Sequence, residues 1–385
     1  MVAAAGSGRY TIYNDITNHW HVFAGVIAAV RTYLDPHPDL LFVSAHPVAN
    51  ATPPLGVREW LGDTTGNGSY LADWRNMPLV KDAPDAPLNV TAAVAAHVTW
   101  GPADVLICVS PELDPDRTCT PVAQKLRPKH IIVLIHRSEF IKPGLWFLDV
   151  EVESRRVPVH MIALAPHVMH SANRTLHGQY SLDWGAVVAP YTSPTPCSNR
   201  TCLDGFVVQG SLRRFSSHEG SGMIRNYDSL WGQITGRNDT GAVRIKVLGK
   251  GKRQDLGIPP ALENVTSFHS GISFPTYWEL IAKSFAIVPM HGTKQYYTMR
   301  CSSNVLASLT TCVPLVADDA LLGAYTFLQK EHVFYQAPGE TEMDVMLRVM
   351  AMSDEAMFAK RAAVCRLREA QLRRAAEVFQ RLVAA

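Results

Sequence analysis

Residues 264–318, NVTSFHSGISFPTYWELIAKSFAIVPMHGTKQYYTMRCSSNVLASLTTCVPLVAD, decide how the chain is read. Val265 to His269 is a short β-rich run, and Phe274 to Lys283 repeats apolar residues at helical spacing. Phe285 to Met290 is a continuous apolar run of strand length. Ser302 to Thr310 returns to helical spacing, and Val313 to Ala317 is a second buried-strand run. Buried strands alternating with helices imply parallel βαβ units, whose ligands gather at the carboxyl ends of the strands. Here those ends carry Met290-His291-Gly292-Thr293-Lys294 and Asp318-Asp319.

The stretch Ser303-Asn304-Val305-Leu306-Ala307-Ser308-Leu309-Thr310-Thr311-Cys312-Val313-Pro314-Leu315-Val316 resembles the donor-binding half of the GT-B glycosyltransferases, sugar transferases built from two Rossmann domains. Many retaining members carry a helix of the form S-N-x-L-E-x-L-x-x-G-V-P-x-V, whose Glu holds the ribose of a nucleotide sugar. The frame matches without gaps. Ala307 stands at the Glu position and Cys312 at the Gly position. An Ala cannot accept a ribose hydroxyl.

The resemblance implies an α/β protein of two Rossmann-like parallel-sheet domains facing a cleft. The expected boundaries are residues 1–190 for an acceptor domain, 191–204 for a Pro-rich linker and 205–365 for a donor domain. A terminal helix over 366–385 is expected to cross back to the first domain. In the first domain, Tyr10 to Ile16, Leu40 to Ser44, Asp104 to Val109, Ile131 to Ile135, Val159 to Ala165 and Ala186 to Ala189 read as the parallel strands, with an apolar helix from Val22 to Leu34. In the second, Gly205 to Gln209 and Val243 to Leu248 read as strands, Arg225 to Ile234 and Leu321 to Leu328 as helices, and 340–384 as a terminal helix pair. Residues 48–90 are rich in Pro, Gly, Asn and Asp and read as a long surface excursion.

At 385 residues the chain is long enough for two full cores. With 47% hydrophobic and 18% charged residues it has a globular composition, and a net charge of +2 leaves no nucleic-acid footprint. No apolar run of about 18 residues appears, so nothing in it reads as a membrane span. Seven sequons, at Asn50, Asn67, Asn89, Asn173, Asn199, Asn238 and Asn264, point to a secretory lumen. Cys197 and Cys202 flank a short loop suited to a disulfide, and the odd cysteine total leaves at least one thiol unpaired. The first residues lack a signal-peptide pattern, so a trimmed luminal domain is expected, with a membrane contact only through a missing N-terminal anchor.

Candidate chemistry lies at the strand ends. A nucleotide-sugar diphosphate needs cations and backbone N–H groups, because its leaving phosphate gains charge in the transition state. Gly210, Arg213, Arg214, Lys250 and Lys252 occupy the ends of the donor domain's first strands, and the resemblance places a cationic pair where Arg213 and Arg214 stand. His291, Gly292 and Lys294 follow the strand ending at Met290, with Tyr296 and Tyr297 beyond. Ser302, Ser303 and Asn304 open the next helix, as caps or as an anion site. In some inverting GT-B enzymes a His after the first strand deprotonates the acceptor, which nominates His19 and His21 beside Asp15. His136, with Arg137 and Glu139, is the rival base. Asp114-Pro115-Asp116 has a D-x-D form, but its Pro-rich setting reads as a solvated turn, so no metal site is expected.

The expected activity is transfer of a sugar from a UDP- or GDP-linked donor, as co-substrate, to a glycan or glycoprotein acceptor in the Golgi or endoplasmic reticulum, without a metal or other cofactor. The alternatives are a GT-B pseudoenzyme that binds glycans or scaffolds a partner, favoured by Ala307, and a GT-B-fold sugar-nucleotide epimerase.

Overall fold

The computed structural model describes residues 9–13, 20–34, 39–43, 104–113, 119, 123, 127–141, 157–178, 180–212, 224–237 and 243–384. The chain divides into two compact units: Met1–Ala189 with Met299–Cys301 and Gln371–Ala385, and Pro190–Thr298 with Ser302–Ala370.

In the first unit the described elements are β1 (Arg9–Tyr13), α1 (Trp20–Ala29), β2 (Asp39–Val43), β3 (Val105–Val109), β4 (His130–Ile135), β5 (Val159–Ala163), α2 (Pro166–Leu176) and β6 (Ser181–Trp184). The six strands form one parallel sheet in the order β2-β1-β3-β4-β5-β6. Val105 to Val109 and Ile131 to Ile135 are buried throughout, which is why they read as unbroken apolar runs: a parallel sheet covered on both faces has no solvent side to alternate towards.

Ala186 to Ala189 departs from expectation. These residues are buried, but the last strand is the polar Ser181–Trp184, and Ala186–Ala189 is irregular chain. An edge strand needs only one partner and tolerates polar residues, whereas the apolar run is used for packing. A Cβ on Gly25 of α1 would lie 2.8 Å from the Val187 backbone, so α1 packs there on bare main chain.

The second unit contains β7 (Phe206–Ser211), α3 (Tyr227–Thr235), β8 (Ile245–Lys250), β9 (Thr266–His269), α4 (Phe274–Ala282), α5 (Gln295–Thr298), α6 (Ser303–Thr311), β10 (Leu315–Ala317), α7 (Asp319–Ala324), β11 (Val333–Tyr335), α8 (Glu342–Met350) and the start of α9 (Asp354–Ala384), whose residues from Gln371 belong to the first unit. Strands β9-β8-β7 pair in parallel, as do β10 and β11. The expected strand from Phe285 to Met290 is not a regular strand, but it joins the two sets. Val207 N donates to Ala286 O (2.9 Å), Val288 N to Val207 O (2.7 Å) and Val316 N to Ile287 O (2.8 Å). In chain order the layer therefore runs 3-2-1-4-5-6, the dinucleotide-binding Rossmann order.

Local signals set the helix ends. Ser302 caps α6 by accepting from Asn304 N, Asp318 caps α7 from Leu321 N, and Thr341 and Asp344 form a capping box on α8. α7 ends at Ala324, short of the expected Leu328. Cys312, at the Gly position of the motif, takes the left-handed conformation (φ 57°) in which glycine is favoured. Its disulfide to Cys365 ties that turn to α9. Two further disulfides join Cys108 to Cys119 and Cys197 to Cys202, and the seventh cysteine, Cys301, is buried with its thiol towards Leu164 O. The segment expected as a linker lies within the second unit: Glu279 of α4 accepts from Tyr191 Oη and Ser193 Oγ (both 3.0 Å) and Thr195 Oγ1 (3.1 Å).

Candidate functional site

In the second unit the strand ends carry a buried cation. Arg225, immediately before α3, is 2% exposed. Its Nη2 donates to Gln209 O at 2.8 Å and its Nη1 to Pro289 O, so one guanidinium closes the ends of β7 and of the 285–290 segment. Gln209, also 2% exposed, accepts from Tyr277 Oη (2.5 Å), and its amide lies 2.9 Å from that of Asn304 on α6. Among the described residues no carboxylate pairs with Arg225; its partners are neutral oxygens, with the Tyr296 ring 6.0 Å away. Gly210 (φ 115°) is where this approach demands glycine, since a Cβ would sit 2.9 Å from Arg225 Nη2 and 3.2 Å from Ser303 Oγ.

His291 borders the same cluster. Its Nε2 lies 2.8 Å from Ser302 Oγ, and its ring stacks on Tyr296 at 4.6 Å with Tyr297 edge-on at 5.5 Å. Burial, reinforced by Arg225, holds its pKa well below the ordinary imidazole value, so it is neutral. Met290, just before it, is left-handed (φ 51°); the backbone constraint falls on this residue and not on Gly292, which is exposed. Ser302 N–H donates to Tyr325 Oη at 2.7 Å, locking the start of α6. A helix N-terminus, a buried guanidinium and neutral donors make a site for an anion with a polar neighbour.

The first unit collects different chemistry at the ends of β3 and β4. Glu112, in the turn after β3, is 6% exposed, and its Oε1 accepts from His136 N and Arg137 N at 2.8 Å each. Burial raises its pKa to about 7, more than the two N–H groups lower it, and Glu139 adds to the rise. His136 Nε2 donates to Cys301 O (2.9 Å), and burial, with His21 and then Arg137 as further causes, lowers its pKa to about 3. His21, near the start of α1, is lowered to about 4 by burial. Glu139 Oε1 accepts from Arg137 Nε (2.8 Å) and from Arg300 Nε. Ser110 (φ 52°) is the left-handed residue of this turn. The carboxyl titrating near neutrality can exchange a proton with a bound hydroxyl, whereas the two imidazoles stay neutral and accept one poorly.

Of the residues expected from sequence, Gly210, His291, Ser302, Ser303 and Asn304 are gathered in the second unit, and His21 and His136 in the first. Lys250 ends β8, Lys252 follows it and Lys294 precedes α5, all exposed. His19, Asp15, Arg213, Arg214, the Asp114–Asp116 turn and the sequons at Asn50, Asn67, Asn89 and Asn238 lie outside the described residues. Sequence reading missed Arg225, Gln209 and Glu112. Arg225 looked like an ordinary first residue of a helix; its one signal was an Arg directly before Asn226, a cap at a strand-to-helix turn. Glu112 sat between two prolines and acids in a stretch read as loop.

No protein-family model matches the chain, and no curated protein matches it either. Solved structures do. Anabaena HepE in complex with UDP-glucose is 13% identical, with 97% of this chain and 99% of that chain aligned at a TM-score of 0.57. Sucrose-phosphate synthase from Thermosynechococcus elongatus is 13% identical, over 98% of this chain and 99% of that one, at 0.56. OtsA without ligand is 11% identical, over 98% and 99%, at 0.52. Such identities speak for architecture: with its two parallel α/β sheets, this chain has the fold of the GT-B glycosyltransferases.

Proposed function

We propose that the chain is a glycosyltransferase that takes its sugar from a UDP- or GDP-linked donor held by the second unit. The observation that carries this reading is Arg225: a buried guanidinium among neutral oxygens, beside Gly210 and the N-terminus of α6, without a carboxylate among the described residues. A buried charge is costly unless compensated, and an anionic ligand next to it compensates it whenever bound. The donor's diphosphate is such an anion, and HepE, of like fold, was solved with UDP-glucose. Catalysis is positional and electrostatic: the cationic site stabilises the charge growing on the leaving diphosphate. Glu112 holds the His136 and Arg137 backbone in place.

We infer a glycan or glycoprotein acceptor in the secretory lumen. Support comes from three disulfides, which persist in oxidising compartments, and from the exposed sequons Asn173, Asn199 and Asn264. Ala307 favours a second reading, a nucleotide- or glycan-binding pseudoenzyme: it is 2% exposed inside α6 and offers nothing to a ribose.

Thermal stabilisation by UDP, GDP and their sugars tests the reading. A true donor at about 100 times its Kd adds about 2.7 kcal/mol. Stabilisation with turnover to free nucleotide supports the transferase, and stabilisation without turnover on any glycan acceptor supports the pseudoenzyme. No stabilisation by either nucleotide at millimolar concentration rules out the donor site.

A further inference from the structure

Three of the seven sequons, at Asn173, Asn199 and Asn264, lie among the described residues, and each presents an exposed Asn. The hydroxyl two residues on sets them apart, because a sequon is read through that hydroxyl as well as through its amide. In α2, Thr175 Oγ1 turns back on Ser171 O (3.5 Å), the local bond of a helical Thr. In β9, Thr266 is 5% exposed within the paired strand. Thr201 is exposed, and its donors meet its own sequon: Oγ1 donates to Asn199 Oδ1 at 2.5 Å, and its backbone N–H to the same oxygen at 3.1 Å. Asn199 Nδ2 takes no part in these bonds and has no acceptor among the described residues. The turn is closed by the Cys197–Cys202 disulfide and seated by Arg200, which donates from Nη1 to Met352 O (2.9 Å) and from Nη2 to Met350 O at the end of α8. The guanidinium therefore faces the protein, while the Asn199 amide and the Thr201 hydroxyl stay together at the surface.

Resting on the secretory-lumen reading above, we propose that Asn199 is an N-glycan attachment site and the most fully occupied of these three. The glycan comes from a lipid-diphosphate oligosaccharide of the lumen, used by the membrane enzyme that modifies sequons. A bond forms from Asn199 Nδ2 to the anomeric carbon and the anomeric C–O bond breaks. The lipid diphosphate leaves with that electron pair, and one Nδ2 proton passes to the transferring enzyme. The folded turn accommodates the product: Oδ1 keeps both of its donors after Nδ2 is modified, and an exposed loop gives a bulky, hydrophilic group room. Thr175 and Thr266 are open to the enzyme only until their helix and strand form around them. The 199–201 turn stays open after the second unit has folded, so occupancy favours Asn199.

Delivery of the full chain to the lumen of a eukaryotic cell behind a cleavable leader tests this. Peptide-N-glycosidase digestion in heavy-oxygen water turns each glycosylated Asn into a labelled Asp, which peptide mass spectrometry reads. Asn199 should carry the label, at higher occupancy than Asn173 or Asn264. Asn199→Gln and Thr201→Ala should each remove one glycan step on a gel, and Thr201→Ser should keep it, because Ser retains the hydroxyl. Asn199→Asp keeps the Oδ1 acceptor for Thr201 and lacks Nδ2, so it should lose the glycan while being secreted like wild type. An unlabelled Asn199 in the secreted, disulfide-bonded chain overturns the site, and so does an occupancy below that of Asn173 or Asn264. Either result leaves the lumen reading standing. A chain that folds only in the cytosol, with its cysteines reduced, overturns that reading and this inference with it.

Discussion

The two units build their sites at the same place in the same kind of sheet and give them opposite electrostatics. Each has a left-handed non-glycine residue at the end of a central strand, Ser110 in the first and Met290 in the second. Each buries ionisable groups just beyond it. In the second unit the buried charge is a guanidinium whose described partners are neutral, and the neighbouring imidazole is neutral. In the first, the half-buried Glu139 is paired with Arg137 and Arg300, while the buried Glu112 leans on backbone N–H groups and titrates near neutrality. Strand ends of a parallel sheet thus supply a position, and the residues after them decide whether it attracts an anion or handles a proton.

The comparison breaks most decisively at Arg225. Arg225→Met removes the cation and strands the carbonyls of Gln209 and Pro289. It should weaken UDP or GDP binding by about 100-fold and, at about 1–3 kcal/mol per orphaned group, cost about 2–6 kcal/mol of stability. Urea unfolding and calorimetry measure the two effects, and Arg225→Lys should fall between. Unchanged nucleotide affinity in Arg225→Met would mean that the second unit's positive character lies elsewhere.

Glu112→Gln probes the first unit through pH. The Glu112 pKa is raised from 4.5 to about 7 on folding, so the wild type binds an extra proton between those values. Its contribution is present below pH 4.5 and disappears as pH rises through 7, an upper bound of about 3 kcal/mol. His136 and His21 act with the opposite sign: their lowered values contribute stability above about pH 6.5 that is lost as pH falls towards 3 and 4. Between about pH 5 and 6.5 the two histidines outweigh Glu112, so unfolding free energies should rise with pH in wild type and rise more steeply in Glu112→Gln. Parallel curves would show that Glu112 does not titrate there.

A smaller effect is expected at Gly210. Ala there must adopt φ 115° and place its Cβ 2.9 Å from Arg225 Nη2, which should cost about 1–3 kcal/mol and loosen nucleotide binding with it. Normal stability in Gly210→Ala would show that Arg225 has room to move. The smallest change is expected at Lys294, which is exposed. Lys294→Ala should weaken nucleotide binding by threefold at most, about 0.6 kcal/mol, and by less at high salt. A larger loss would shift the weight of anion binding from the buried cation to the surface.

What the sequence determined by itself is the alternation of elements and the ends of several helices. Runs such as Val105–Val109 and Ile131–Ile135, the caps Ser302 and Asp318 and the gapless frame from Ser303 to Val316 were legible because hydrophobic period and capping are set by residues a few positions apart. Gly210, His291 and the opening of α6 were legible for the same reason, as polar residues directly after apolar runs. Tertiary structure alone decided the rest. It made Ser181–Trp184 the edge strand and left Ala186–Ala189 for packing, although the second stretch is the more strand-like. It placed Cys365 against Cys312 across 53 residues, which no local pattern encodes. It buried Arg225 against carbonyls 16 and 64 residues away, and set Glu112 under backbone amides 24 and 25 residues on. Burial and partnership are long-range properties: a charged residue in a polar loop looks solvated until the chain brings distant oxygens or amides around it, and that desolvation is what shifts its chemistry.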